Sequence, residues 1–60
     1  MRVQVILSMF QGVEDGLRVF SEKAVADAAY IGVCKEMDVP ADHPHTDDVD
    51  VYYWSDVEVE

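Results

Sequence analysis

From Arg2 to Phe10, hydrophobic and polar residues alternate. Val3, Val5, Leu7 and Met9 share one parity; Arg2, Gln4 and Ser8 share the other, with Ile6 and Phe10 as exceptions. A period of two with β-branched residues predicts a strand. Gln11 to Gly16 holds two glycines, an Asp and a Glu, and predicts a turn or short loop. Leu17–Phe20 is then a second strand, with Leu17 and Val19 toward the core. So short a connection makes the pair an antiparallel hairpin. Ser21 is placed to cap a helix, with Glu22 in its first turn. The Ala-rich stretch Glu22–Met37 carries Ala26, Ala29, Tyr30, Val33 and Met37 on one stripe. Lys35 suits the helix's negative end, while Gly32 weakens the helix by up to about 1 kcal/mol against Ala. Ile31 and Ala28 lie off the stripe, so either the stripe is wide or Ile31 faces a partner.

Asp38 to Asp47 contains both prolines and both histidines and predicts a loop. Alternation returns from Asp48 to Glu60. Val49, Val51, Tyr53, Val57 and Val59 have one parity; Asp48, Asp50, Tyr52, Trp54, Asp56, Glu58 and Glu60 have the other. Ser55-Asp56 is a candidate bulge or bend. These elements define a single α+β domain over residues 1–60, of order β-β-α-β: a three-stranded antiparallel sheet with one helix packed on one face. The first strand, with the most regular apolar alternation, is placed in the centre. The sheet's second face is left to water or to a partner.

The composition narrows the function. The chain has 60 residues, half of them hydrophobic, and 13 Asp+Glu against 4 Lys+Arg, a formal charge of −9. The apolar fraction supports a folded domain rather than a disordered acidic tail. A domain of this size buries only about 60% of the surface its unfolded chain exposes, so the core is thin. A single cysteine excludes an internal disulfide. No stretch approaches the roughly 18–20 apolar residues of a membrane span. Val5-Ile6-Leu7 lacks the flanks of a signal peptide. The negative charge disfavours direct binding to nucleic acid, and the chain is short for a closed active site. The expectation is a small, non-enzymatic, cytoplasmic binding module without cofactors, a monomer or weak homodimer.

The charge is concentrated. Residues 1–37 are nearly balanced, whereas residues 38–60 hold Asp38, Asp42, Asp47, Asp48, Asp50, Asp56, Glu58 and Glu60 with no Lys or Arg. Carboxylates on alternate strand residues repeat every 6.6–6.8 Å or so. Such a row resembles a phosphate backbone, and Tyr52 and Trp54 within it resemble interface anchors. The expected partner is a basic groove that otherwise holds nucleic acid, pairing its Arg and Lys with these carboxylates. The candidate binding residues are Asp42, Asp47, Asp48, Asp50, Tyr52, Trp54, Asp56, Glu58 and Glu60. A plain solvated acidic face is the competing reading. His43 and His45 with nearby Asp have no specific metal-ligand spacing, and no metal site is assigned. Cys34 reads as a small buried hydrophobe. Gly12 and Gly16 match no phosphate-binding loop.

The opening strand, the junction Val19-Phe20-Ser21-Glu22-Lys23-Ala24, the Ala-rich helix and the acidic, aromatic closing strand resemble small phage-encoded β-β-α-β proteins. In size, charge and composition the chain also resembles the anti-CRISPR proteins. That resemblance implies a DNA mimic that blocks the DNA site of a CRISPR surveillance complex. The class shares no motif, so no site residue follows from the resemblance. The alternative is a phage or plasmid interaction module whose partner does not bind nucleic acid, docking or dimerising through Ile31 and the free sheet edge.

Overall fold

A computed structural model describes residues 1–59. Strands β1 (Arg2–Phe10) and β2 (Val13–Phe20) are followed by helix α1 (Lys23–Glu36) and strand β3 (Val49–Glu58). The sheet order is β2-β1-β3, with both pairings antiparallel. The expected architecture and the central place of β1 therefore hold. No helix among the described residues is long and apolar enough to cross a membrane.

The hairpin is tighter than the glycine pattern predicts. Its turn is only Gln11-Gly12, both with positive φ (53° and 78°), the geometry that matches the right-handed twist of paired strands. β2 therefore begins at Val13 rather than at Leu17. Helix α1 starts one residue later than Ser21 would set it. Glu22 is the N-cap and makes no side-chain capping bond. The helix ends in a Schellman motif: Val39 N–H donates to Cys34 O (2.9 Å) and Asp38 N–H to Lys35 O (3.2 Å), with Asp38 at φ 58°. This turns Val39 back into the core beside Cys34. The stripe expected on α1 is the buried one, centred on Ala26 and Val33; Cys34 is buried and Ile31 is exposed.

The largest departure concerns which face of the sheet the helix covers. On β1 the residues beneath the helix are Gln4, Ile6 and Ser8, each no more than 2% exposed. Ile6 packs with Val49 and Val51 of β3 against Val33, Cys34 and Val39. Val3, Val5, Leu7 and Met9 point the other way. Their cross-strand partners Val19, Leu17, Tyr52 and Trp54 share that open side. Leu17 and Val19 are thus exposed rather than in the core.

Two bulges explain how polar side chains come to be buried. Between Val5↔Trp54 and Val3↔Val57, β3 carries one extra residue, and Gln4 faces the surplus. Gln4 Oε1 accepts from Asp56 N–H (2.8 Å), and its amide donates to Asp56 Oδ1 (3.5 Å). Asp56 has φ 54°. Between Ser8↔Gly16 and Met9↔Glu14 the extra residue is Asp15 of β2. Ser8 Oγ donates to Gly16 O there, at 3.3 Å. Both polar side chains are consumed by the irregular backbone opposite them. Among the described residues, no buried side-chain N or O lacks a partner.

Candidate functional site

The candidate bulge at Ser55-Asp56 is real, and it divides the acidic row. Asp50, Tyr52 and Trp54 face the open side. Past the bulge the parity reverses, so Val57 joins the open face opposite Val3 while Glu58 lies opposite Arg2. Arg2 Nε donates to Glu58 Oε2 (3.3 Å), and the N-terminal ammonium lies 3.6 Å from Glu58 Oε1. Asp56 is held by Gln4. Eight residues of strand put Glu58 roughly 26 Å from Asp50. The nine expected residues therefore do not form one face. Asp42 sits in the loop that runs back along the helix, where Tyr30 Oη donates to the adjacent Ala41 O (2.6 Å). Glu60 lies outside the described residues.

Asp47, Asp48 and Asp50 do come together, at the end of the sheet that carries the hairpin turn. Gln11 N–H donates to Asp48 O (2.6 Å), which holds this loop against the turn. Thr46 Oγ1 accepts from Val49 N–H (3.0 Å), closing the bend. Val51 N–H donates to Pro44 O (2.9 Å), so residues 44–46 cover the outer edge of β3 where it begins. His45 Nδ1 lies 3.0 Å from Asp50 Oδ1. The structure adds two carboxylates that charge counting along the chain passed over. Glu14 pairs with Met9, which also pairs with Asp50, so Glu14, Met9 and Asp50 form one row across the three strands. Two strand spacings set the outer pair about 10 Å apart. Asp15 is the bulge residue beside them. The missed signal was the turn: read as Gln11-Gly12 alone, it sets Glu14 next to Met9.

Five carboxylates thus gather at the turn end: Glu14, Asp15, Asp47, Asp48 and Asp50. Three of the four basic side chains are engaged elsewhere among the described residues, and the fourth, Lys35, sits in the last turn of the helix. Arg2 meets Glu58, Lys23 meets Asp27 (3.3 Å), and Arg18 reaches Glu36 (4.0 Å). Beside this end begins an aromatic run on the open side. His45 lies against Tyr52 at 5.2 Å, and Tyr52 stacks on Trp54 at 5.7 Å with a 12° tilt.

The groups with displaced acidity lie away from that end, under the helix. Tyr53 Oη donates to Asp27 Oδ1 (2.5 Å) and its ring stacks on Tyr30 at 5.3 Å. The bond holds the Asp27 carboxyl below its usual value and pushes the Tyr53 phenol up to about 12. Burial raises the Tyr30 phenol. This arrangement anchors the helix to β3. No cluster of three or more potential metal-ligating side chains occurs among the described residues.

Comparison with known protein families, with curated proteins and with solved structures returns no match for this chain.

Proposed function

We propose that the protein is a non-enzymatic binding module that acts in a bacterial cytoplasm and occupies a basic, nucleic-acid-binding surface of another protein. The reading is carried by the five carboxylates at the turn end, Glu14, Asp15, Asp47, Asp48 and Asp50, which meet no Lys or Arg among the described residues. Such a cluster creates a directional field that accelerates encounter with a positive cleft. It also displaces the counterions a phosphate backbone would displace. The Tyr52–Trp54 stack flanks it, while Asp42 stands apart beside Tyr30. The regular phosphate-like row along β3 has no part in this reading, because the bulge ends it at Trp54. The resemblance to anti-CRISPR proteins makes a CRISPR surveillance complex the first partner to test.

The experiment is competition between the purified protein and labelled duplex DNA for a type I surveillance complex, at low and high salt. The expected result is loss of DNA binding at low salt, relieved at high salt. Asp48→Lys and Asp50→Lys should weaken competition about tenfold, as for charge pairs desolvated at an interface. Glu58→Lys, at the opposite end, should change it little. Undiminished competition by the Asp48 and Asp50 variants would remove the turn end as the binding surface. The open apolar face favours a second reading, an interaction module whose partner does not bind nucleic acid. Binding that salt leaves unchanged would support it.

A further inference from the structure

The more hydrophobic face of the sheet is the one this chain leaves open. Val5 and Leu7 form its centre, Leu17 and Val19 one margin, and Tyr52 and Trp54 the other. Leu17, Val19 and Trp54 are 56%, 58% and 47% exposed. The covered side beneath the helix has the polar Gln4 and Ser8 among its buried residues. A contiguous apolar face of this kind marks an interface.

The geometry points to a second copy of this chain as the cover: two protomers pack open face to open face as a homodimer. Area supports this occupant. Leu17, Val19, Tyr52, Trp54 and Val57 are 36–58% exposed, and Val3, Val5, Leu7 and Met9 between them are half-buried, so the face offers on the order of 600 Å² of accessible surface per protomer and about 1,200 Å² per pair, the lower bound for a specific complex. The face is suited to pack on itself, because its charged groups, Glu14 and Asp50, lie only at the turn end. Two-fold symmetry with the axis running across the strands puts these ends at opposite extremities and sets the aromatic margins against each other. The free β2 edge is the weaker route to a dimer. It carries Glu14, Asp15 and Arg18 and a bulge at Asp15, devices that discourage edge pairing. Glu14 and Asp50 lie at the rim of this face and Asp47 and Asp48 in the loop before β3, and the opposite salt dependence of the two associations separates the dimer from the proposed binding to a basic surface.

The charge sets a distinguishing sign. Two chains of −9 repel, so salt strengthens this association while weakening attachment to a basic partner. The test is sedimentation equilibrium of the full chain from about 1 to several hundred micromolar, the range of a small interface. The mass should rise from 6.8 kDa toward twice that value, more steeply at high salt. Trp54 is the only tryptophan, so its emission should shift to the blue over the same range. Leu17→Glu and Trp54→Glu, on opposite margins, should each weaken dimerisation tenfold or more, and Ile31→Glu on the helix should not. A monomer at all concentrations with fixed Trp54 emission overturns the inference. So does a dimer that Leu17→Glu disrupts but Trp54→Glu leaves intact, which assigns the interface to the β2 edge. Where a glutamate variant fails to fold by far-UV circular dichroism, the concentration dependence of Trp54 emission in the unmodified chain decides alone.

Discussion

Replacing Gln4 tests the claim that a buried polar side chain holds the β3 bulge in place. Gln4 is 2% exposed, accepts from Asp56 N–H at 2.8 Å and donates to Asp56 Oδ1 at 3.5 Å. Gln4→Glu keeps the shape and the acceptor but turns the donor into a second carboxylate oxygen facing Asp56. Two unit charges 3.5 Å apart at an effective dielectric of 20 repel by about 4–5 kcal/mol. Partial exposure of Asp56 reduces that to about 2–3 kcal/mol. The whole domain is stabilised by only about 3–9 kcal/mol at this length. The melting temperature at pH 7 should therefore fall by about 10–20 °C, at 4–8 °C per kcal/mol or so. The introduced carboxyl has its folded-state pKa raised. Its protonated form is compatible with the fold, so stability returns below its unfolded-state pKa and is lost as pH rises. Thermal unfolding by circular dichroism should show most of the loss recovered near pH 4, relative to wild type at the same pH. Gln4→Leu removes only hydrogen bonding and should cost about 1 kcal/mol at both pH values. Wild-type stability of Gln4→Glu at pH 7, with unchanged exchange protection of the Asp56 amide, would refute the clamp.

Two further outcomes follow from the helix and its anchor. Asp38 occupies the left-handed position of the Schellman motif (φ 58°) and adds negative charge at the helix C-terminus, so Asp38→Gly should stabilise the fold by about 0.5–1 kcal/mol, measured by urea unfolding. The Tyr53 phenol is raised to about 12 by its bond to Asp27, so its stabilising contribution is intact below about pH 10, the ordinary tyrosine value, and is lost between there and 12. The lowered Asp27 carboxyl contributes in the opposite direction, with its stabilisation lost as pH falls below the ordinary aspartate range. Tyr53→Phe should flatten both dependences in thermal melts across pH.

The order of elements was legible because each had one dominant signal: period two for the strands, and Ala-rich helical spacing between Glu22 and Met37. The helix stripe was readable for the same reason. Facing was not. Alternation in β1 marks Val3, Val5, Leu7 and Met9 as the apolar side, but apolarity alone does not say which side the helix covers. The helix instead presents small residues, Ala26 and Cys34 among them, to a side that carries Gln4 and Ser8. Nothing local in the sequence states that both polar groups have backbone partners on bulged neighbouring strands. The acidic end was half legible. Asp47, Asp48 and Asp50 are close in sequence, but Glu14 and Asp15 join them only through the register of a two-residue turn. Gln11 at positive φ is uncommon enough to hide that turn.

The two bulges also account for the separation of charge from apolar surface. Without the extra residue at Ser55-Asp56, Glu58 would share a side with Tyr52 and Trp54, and the open face would carry carboxylates at both ends. With it, Val57 takes that place opposite Val3, and Glu58 turns to Arg2 and the chain's amino group. Without the extra residue at Asp15, that carboxylate rather than Glu14 would pair with Met9, and Glu14 would be carried to the opposite side of the sheet. One bulge thus keeps the far end of the open face neutral, and the other fixes which carboxylate borders its turn end. Each requires a polar side chain opposite it under the helix, which is why Gln4 and Ser8 are buried and the bulkier β1 side chains are left outside. The burial that looks inverted is the local cost of building a sheet with one acidic end and one apolar face.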